Sequence, residues 1–363
     1  EPGDPKVGGH VSASASALHI MGALHLMAKS GFDHIANKPH ASPTDHAYNY
    51  LLNLFLKDDL SRYSQSEADA VMGTLRAFSK NGEPVFQSYH SALDPDRHNF
   101  FPSGSVGIPP VMAGYLALAY KLAAAHDYNI PKAHFWALCG DSEFREGSIH
   151  EAIPDFAERE LNNLTWIIDY NRQSLDGHRI SNQNVMSGND SYRLEQTLVA
   201  NGWNVIQIRH GKKRLAIFAR PGGDKLKNYF ENELEDLEFQ ALLLLDSPQA
   251  VRDQLSKKDS IRKMVASLSD ADVNNLLRDL GGHDIFALRD AMLESKKSKH
   301  KPTLIIAHTI KGWGLKLAAS PSNHSAIPDE DEMIELQTKQ GLPKNVLFAP
   351  FAPNTPESKF LAA

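Results

Sequence analysis

Apolar positions in this chain fall into stretches that read in turn as helix and strand, and that alternation predicts an α/β fold on a mostly parallel, open sheet with helices on both faces. Residues 12–29, rich in Ala, Leu, Met and His, predict a helix stopped by Ser30-Gly31, and residues 32–37 a weak strand. Residues 47–56 predict a mixed apolar helix and residues 66–79 a second, with Ser66 as its N-cap. Residues 80–110 hold Gly82, Pro84, Pro95, Pro102, Gly104, Gly107, Pro109 and Pro110 and predict a loop. Residues 111–125 predict a helix of small residues that packs closely on a sheet. This most apolar run is broken by Gly114, Tyr115 and Lys121, so no membrane span is expected.

Three strand signals follow. Residues 133–139 (AHFWALC) run into Gly140-Asp141, residues 164–169 (LTWIID) run into Tyr170-Asn171, and residues 203–208 (WNVIQI) form the third. A helical stretch at 146–160 separates the first two. Residues 212–301 are charged and mostly helical, with helices expected over 226–245 and 284–296. Residues 303–308 (TLIIAH) predict another buried strand, followed by Thr309-Ile310-Lys311-Gly312-Trp313-Gly314. Beyond Ser320 the chain reads as loop, with Pro-rich residues 343–356 as a linker or terminal extension. The organisation expected is a binding unit at 1–320 with a helical insertion at 212–300, then a loop and extension at 321–363.

Composition narrows the function. Over 363 residues, 38 Lys and Arg against 44 Asp and Glu leave a formal charge of −6, which weighs against nucleic acid as the main partner. The single cysteine, Cys139, excludes an internal disulfide framework and fits a reducing, cytoplasmic setting. The opening Glu1-Pro2-Gly3-Asp4-Pro5 has neither the basic nor the apolar region of a signal peptide. Seventeen histidines, many before residue 100, raise catalysis, metal binding or anion recognition.

Asp141 and Asn171 are 30 residues apart, the length of one strand–helix–strand crossover. Each stands just past the carboxyl end of a buried strand, at the edge where open α/β sheets bind ligands. A carboxylate, an amide oxygen and a nearby main-chain carbonyl suit Mg²⁺ or Ca²⁺, which also takes oxygens from a diphosphate. Gly140 lets the backbone approach closely, and the helix starting near Glu146 turns free N–H groups toward an anion. On these residues alone, Asp141 as a helix N-cap and Asn171 as a turn residue remains open.

Gly140-Asp141-Ser142-Glu143, then Asn171-Arg172-Gln173, then Leu175-Asp176-Gly177 resembles the motif of the thiamine-diphosphate-dependent, transketolase-like superfamily. The detail is similar to the homodimeric pyruvate dehydrogenase decarboxylating family. Further matches run in order through Gly8-Gly9-His10, Lys38-Pro39-His40-Ala41-Ser42-Pro43, Ser88-Tyr89, Phe101-Pro102-Ser103-Gly104-Ser105-Val106-Gly107, Gly202-Trp203-Asn204-Val205-Ile206, Gly281-Gly282-His283-Asp284 and Ala307-His308-Thr309-Ile310-Lys311-Gly312-Trp313-Gly314. The resemblance implies that Asp141, Asn171 and the carbonyl of Gln173 hold Mg²⁺ against the diphosphate of thiamine diphosphate. It implies that Ser142 and Glu143 help seat the phosphates and that Gly104, Val106 and Gly107 line the cofactor. His10, His40 and Tyr89 would face the thiazolium and substrate, Lys311 the diphosphate side, and His324 falls at a mobile-loop histidine of the family. His10 and His40 as solvated turn residues is the competing reading. His19 and His25 read as packing residues and His283 as support for a helix start. His90 and His98 are undecided. A histidine zinc site is a rival explanation, but no pair shows tight spacing with a third ligand.

The chain departs from the family at Ser142, where Gly is usual and a side chain narrows the approach to the diphosphate. Lys38 replaces a Gln and places a cation near the substrate. Glu146-Gly147 looks more like transketolase. The resemblance covers the diphosphate half only, so a pyrimidine-binding domain or partner subunit is expected from elsewhere, and the chain alone is expected to be inactive. The function it implies is decarboxylation of a 2-oxo acid, with transfer of the acyl unit to a lipoyl acceptor on an acyltransferase. The alternatives are transketolase-like ketol transfer between sugar phosphates and a non-catalytic diphosphate-binding assembly subunit. A dimer or other homo-oligomer, or a heterotetramer, is expected, with helix 111–125 serving as interface as well as core.

Overall fold

A computed structural model describes residues 9–75, 77, 86–91, 94–96, 101–174, 177–178, 190–344, 348 and 351–362. Gly8, Gly82, Pro84, His98 and the Leu175-Asp176 pair singled out above lie outside the described residues.

Strands β1 (His34–Ala36), β2 (Phe135–Gly140) and β3 (Leu164–Tyr170) precede a two-residue hairpin, β4 (Gln173–Ser174) with β5 (Gly177–His178). Strands β6 (Asn204–Ile208) and β7 (Thr303–His308) complete a parallel five-stranded sheet of order β1-β2-β3-β7-β6. The central strands read as continuous apolar runs because helices cover both faces. On one face, Trp136, Leu138, Ile167, Ile305 and Ala307 pack with Ile20 and Met21 of helix α1 (Val11–Ala23). On the other, Phe135, Ala137, Trp166, Ile168 and Ile306 join Ala113, Ile153, Phe156 and Leu194.

The chain-ordered helices are α2 (Ser42–Leu51), α3 (Gln65–Met72), α4 (Ile108–Ala125), α5 (Gly147–Glu158) and α6 (Asp190–Ala200). Then come α7 (Lys212–Phe218), α8 (Gly223–Asn228), α9 (Asp236–Leu243), α10 (Pro248–Leu255), α11 (Arg262–Ala266), α12 (Asp270–Arg278) and α13 (Ile285–Ser295). Last are α14 (Glu330–Lys339) and α15 (Pro356–Ala362). Leu226, Phe239, Val251, Val265, Val273 and Leu276 build a separate core among the helices after residue 212. Leu288 and Met292 of α13 return to the α1 face of the sheet.

Local chemistry moves several boundaries from their expected places. Helix α2 starts at Ser42 because Pro43 fits a first turn, and it ends at Leu51; Leu56 instead bridges to Arg62. Helix α3 is capped by Ser64, not Ser66: Ser64 and Glu67 form a reciprocal capping box. Pro109 and Pro110 lie in the first turn of α4, where a missing N–H costs nothing, so the preceding loop ends earlier than expected. The single helix expected at 226–245 is interrupted by a π-turn at Tyr229–Glu233 and an extended Leu234. Beyond Ser320 the chain is not all loop, because Asp329 caps α14 through the Glu332 N–H. By length and apolar composition alone, Val11–Ala28 and Ile108–Ala125 are long enough to cross a membrane, contrary to the expectation above; just over half of the first segment is buried in the fold.

Helix α4 lies close on α5 through Gly114, where an added Cβ would stand 2.0 Å from Phe156. Gly114→Ala is therefore expected to destabilise the fold by about 1–3 kcal/mol through overpacking. Urea unfolding checks this, and an unchanged midpoint would show that the contact relaxes without cost.

Candidate functional site

Parallel strands end level at one edge. Gly140 pairs with Asp169 and Tyr170 with His308, so Asp141, Asn171 and Thr309 emerge side by side, with Lys38 close behind β1. Asp141 links two of these ends directly. Its Oδ1 accepts the Ser142 N–H at 2.8 Å and its Oδ2 accepts the Arg172 N–H at 2.8 Å. Arg172 has φ +66°, a left-handed turn residue. Its guanidinium is held by Asp236 of α9 at 2.9 Å and lies 4.8 Å over the Phe239 ring. Asn171 Oδ1 accepts the Gln173 N–H at 3.1 Å.

These strand ends form the floor of a cavity of about 820 Å³ lined by His10, Lys38, His40, Val106, Gly140, Asp141, Ser142, Glu143, Glu146, Asn171, Gln173, Lys311 and His324, among others. His10 reaches it because Gly9, at φ +82°, turns the chain into α1, with its own Cβ position only 3.0 Å from Pro43. The His10 N–H donates to the His40 carbonyl at 3.0 Å, and the two rings stand 4.5 Å apart. His324 closes the group, 4.5 Å from His10 and 5.2 Å from His40. Burial, then the neighbouring positive groups, pushes His40 down to about 3 and His324 down to about 4, so both rings are neutral near pH 7. Lys311 Nζ donates to His324 Nδ1 at 3.0 Å; burial, then Lys38, pushes its ammonium down to about 8.

Lys38 does not stand free in the cavity. Its ammonium pairs with Asp169, a fully buried carboxylate inside β3. Thr309 and Ser16 also donate to Asp169, the latter at 2.7 Å. Burial pushes the Asp169 carboxyl up, but Lys38 and the hydroxyls outweigh it and hold it below the usual carboxylate range.

The residues expected at the site divide into three groups. Those at the cavity wall are His10, His40, Val106, Gly140, Asp141, Ser142, Glu143, Asn171, Gln173, Lys311 and His324. Gly107 and Glu143 act as a brace. Glu143 accepts the N–H groups of Gly107 at 2.8 Å and Gly140 at 2.9 Å, so its carboxylate holds the loop and is not left to seat a phosphate. Gly107 sits at φ +81° with its Cβ position 2.5 Å from the Glu146 Cβ, which excludes a side chain. Gly104 and Tyr89 stand outside the wall; the Tyr89 ring lies 6.2 Å from His40. Sequence reasoning missed Asp169, Arg172, Asp236 and Asn323, whose amide ties the Gln173 side chain at 3.2 Å to the carbonyls of Lys311 and Leu317. Asp169, Asp236 and Asn323 carry no local motif, and Arg172 lies inside the Asn171-Arg172-Gln173 stretch without a role of its own being read from it.

The donor set fits a divalent ion with a diphosphate. Hard oxygens sit at the floor, an ammonium with a labile proton stands beside them, and the volume is that of a site for a cofactor-sized ligand.

The family model described as "Transketolase, thiamine diphosphate binding domain" matches residues 105–220 and 255–352. A pyruvate dehydrogenase E1 component from Cupriavidus necator is 32% identical over 329 residues, covering 87% of this chain and 34% of that protein. Its counterpart from Mycolicibacterium smegmatis is 32% identical over 319 residues, covering 85% and 32%. The chain thus spans about a third of the length of the curated relatives it matches. A transketolase structure from Leishmania mexicana superposes with a TM-score of 0.57 at 17% identity, over 98% of this chain and 44% of that one. These structures share the α/β fold.

Removing one partner of the buried Lys38–Asp169 pair strands the other charge. Lys38→Met is expected to cost about 3–5 kcal/mol, whereas Lys38→Gln with Asp169→Asn, a neutral amide pair, recovers most of it. Denaturant unfolding of the single and double variants measures this, and a mild Lys38→Met would contradict the pairing.

Proposed function

The chain belongs to the transketolase thiamine diphosphate-binding domain family, and on that premise we propose that it is the diphosphate-holding half of the decarboxylating component of a 2-oxo acid dehydrogenase. The observation that carries this is the pair of strand ends, Asp141 and Asn171, opening together onto a cavity walled by Lys311 and three histidines. Asp141, the Asn171 amide oxygen and the Gln173 carbonyl would hold Mg²⁺. Thiamine diphosphate bound there supplies the electron sink that takes up the pair released when CO₂ leaves a 2-oxo acid. Lys311 balances diphosphate charge and keeps His324 in place through its hydrogen bond. His10 and His40 stand on the substrate side, and a neutral His40 there both accepts and donates a proton.

The sequence relatives favour a 2-oxo acid over a sugar phosphate, and the transketolase likeness bears on fold alone. No arginine, the natural bidentate phosphate clamp, lines the cavity among the described residues. A second, pyrimidine-binding half from another domain or subunit, a lipoyl acceptor on an acyltransferase, and assembly as a homo-oligomer or heterotetramer complete the proposal.

Calorimetry with Mg²⁺ and thiamine diphosphate tests the reading. The wild-type chain is expected to show Mg²⁺-dependent heat, and Asp141→Ala, folded by thermal melt, at least tenfold weaker binding. Wild-type chain with no Mg²⁺-dependent binding of thiamine diphosphate or inorganic pyrophosphate would overturn it.

The pH dependence has a defined sign. An anion beside Lys311 raises its pKa from about 8, so binding near pH 8–9 takes up protons, and uptake fades below pH 7. Titrations in buffers of different ionisation enthalpy read this, with Lys311→Met losing the uptake. Proton release in that range would contradict the assignment.

A further inference from the structure

Beside the cavity, residues 86–91 and 94–96 lie against α2 and bury a second polar cluster. His46 of α2 and His90, Asp94 and Asp96 of this segment each offer one ligand atom, and those atoms lie within 4.8 Å of one another. All four side chains are at most 4% exposed. The segment is set by its own hydrogen bonds: Asp94 Oδ2 accepts the Ser91 N–H at 2.7 Å, and the His90 N–H donates to Ser103 Oγ at 2.8 Å. His46 Nδ1 is 2.6 Å from Asp96 Oδ2, and Asn49 donates to the same oxygen at 2.9 Å. On the far side, His90 Nε2 is 3.0 Å from Asp45 Oδ2, and the other Asp45 oxygen is 2.5 Å from His25 Nε2.

Two atoms in this cluster lack a purpose within the protein. His46 Nε2 and His90 Nδ1 are buried with no hydrogen-bond partner among the described residues. Each such orphan costs about 1–3 kcal/mol, so two on neighbouring edge-on rings, whose centroids are 4.4 Å apart, call for a ligand. Two imidazole nitrogens with two carboxylate oxygens are the wrong set for Ca²⁺ or Mg²⁺, which want oxygen alone. They suit Zn²⁺, and four protein ligands with no exposed position describe a closed, structural site. Ligand atoms around a tetrahedral zinc ion lie roughly 3.4 Å apart, so closing on the ion requires a contraction of about an ångström or so.

We propose that His46, His90, Asp94 and Asp96 bind a structural zinc ion. The ion clamps the segment carrying Tyr89 to α2, and so fixes the Tyr89 ring, just outside the cavity wall, beside His40. This inference stands apart from the cofactor reading, because neither its ligands nor its test involves thiamine diphosphate.

The test is metal analysis of the full chain. After stripping with dipicolinate, wild type is expected to bind one Co²⁺ per chain, with the intense visible bands of a four-coordinate ion, and Zn²⁺ to displace it and raise the melting temperature. His46→Gln and Asp96→Asn are expected to weaken Zn²⁺ by more than the 10–100-fold that loss of a merely supporting group costs. His324→Asn, which alters the other histidine group, is expected to keep full stoichiometry. If the ligand variants do not fold, the wild-type Co²⁺ titration and His324→Asn decide. Wild type without stoichiometric Co²⁺, or an ion lost in His324→Asn and kept in His46→Gln, overturns the proposal; the former would leave an imidazole–carboxylate network without metal.

Discussion

One carboxylate joins the tips of two neighbouring strands, and the cavity depends on it. Asp141 accepts a main-chain N–H from the residue after it and another from Arg172, beyond the next strand. A carboxylate held by two N–H groups is oriented before any ligand arrives, so little ordering remains to be done on binding. The second of those donors comes from a residue in left-handed conformation, which costs about 1–2 kcal/mol for a side chain larger than glycine. Asp236 and Phe239 of α9 hold the Arg172 side chain in that turn. The helices after residue 212 therefore support the site from behind, although they contribute nothing to its wall.

Burial of charge is arranged so that the wall can receive an anion. Asp169 absorbs one ammonium, Lys38, and leaves Lys311 as the cation whose proton is weakly held. His40 and His324 are kept neutral by burial and by neighbouring positive groups, these ammonium groups among them. A cavity whose imidazoles were charged would bind anions without discrimination; neutral rings keep hydrogen-bonding capacity for the substrate side. Glu143, pushed up by burial, serves as an acceptor for two backbone N–H groups and holds the Gly107 turn against the end of β2.

The strands were legible because they are continuous apolar runs: residues 303–308 were expected as a strand and Thr303–His308 is one. Strand ends were legible too, since a crossover has a characteristic length, which brought Asp141 and Asn171 together from 30 residues apart. Helix starts were less so, because Ser64 and Ser66 are equally good caps in isolation and only the reciprocal bond to Glu67 decides. The helix expected at 226–245 failed at Leu234, where nothing in the composition signals an extended residue. Asp169 was invisible as a site residue: it closes an apolar run, and its partners Ser16, Lys38 and Thr309 are 153, 131 and 140 residues away. Long-range pairing of this kind leaves no periodic or local trace. In the second cluster His90, Asp94 and Asp96 are close in sequence, but His46 is 50 residues from Asp96 and only the fold brings it to them.

The most direct measurement is anomalous diffraction from a crystal of the chain grown with Mn²⁺ and thiamine diphosphate. The result expected is a manganese peak at coordination distance, about 2.0–2.3 Å, from both an Asp141 carboxylate oxygen and the Asn171 amide oxygen, with the diphosphate bridging toward Lys311. A manganese ion located away from both residues, with the diphosphate bound elsewhere, would contradict the account.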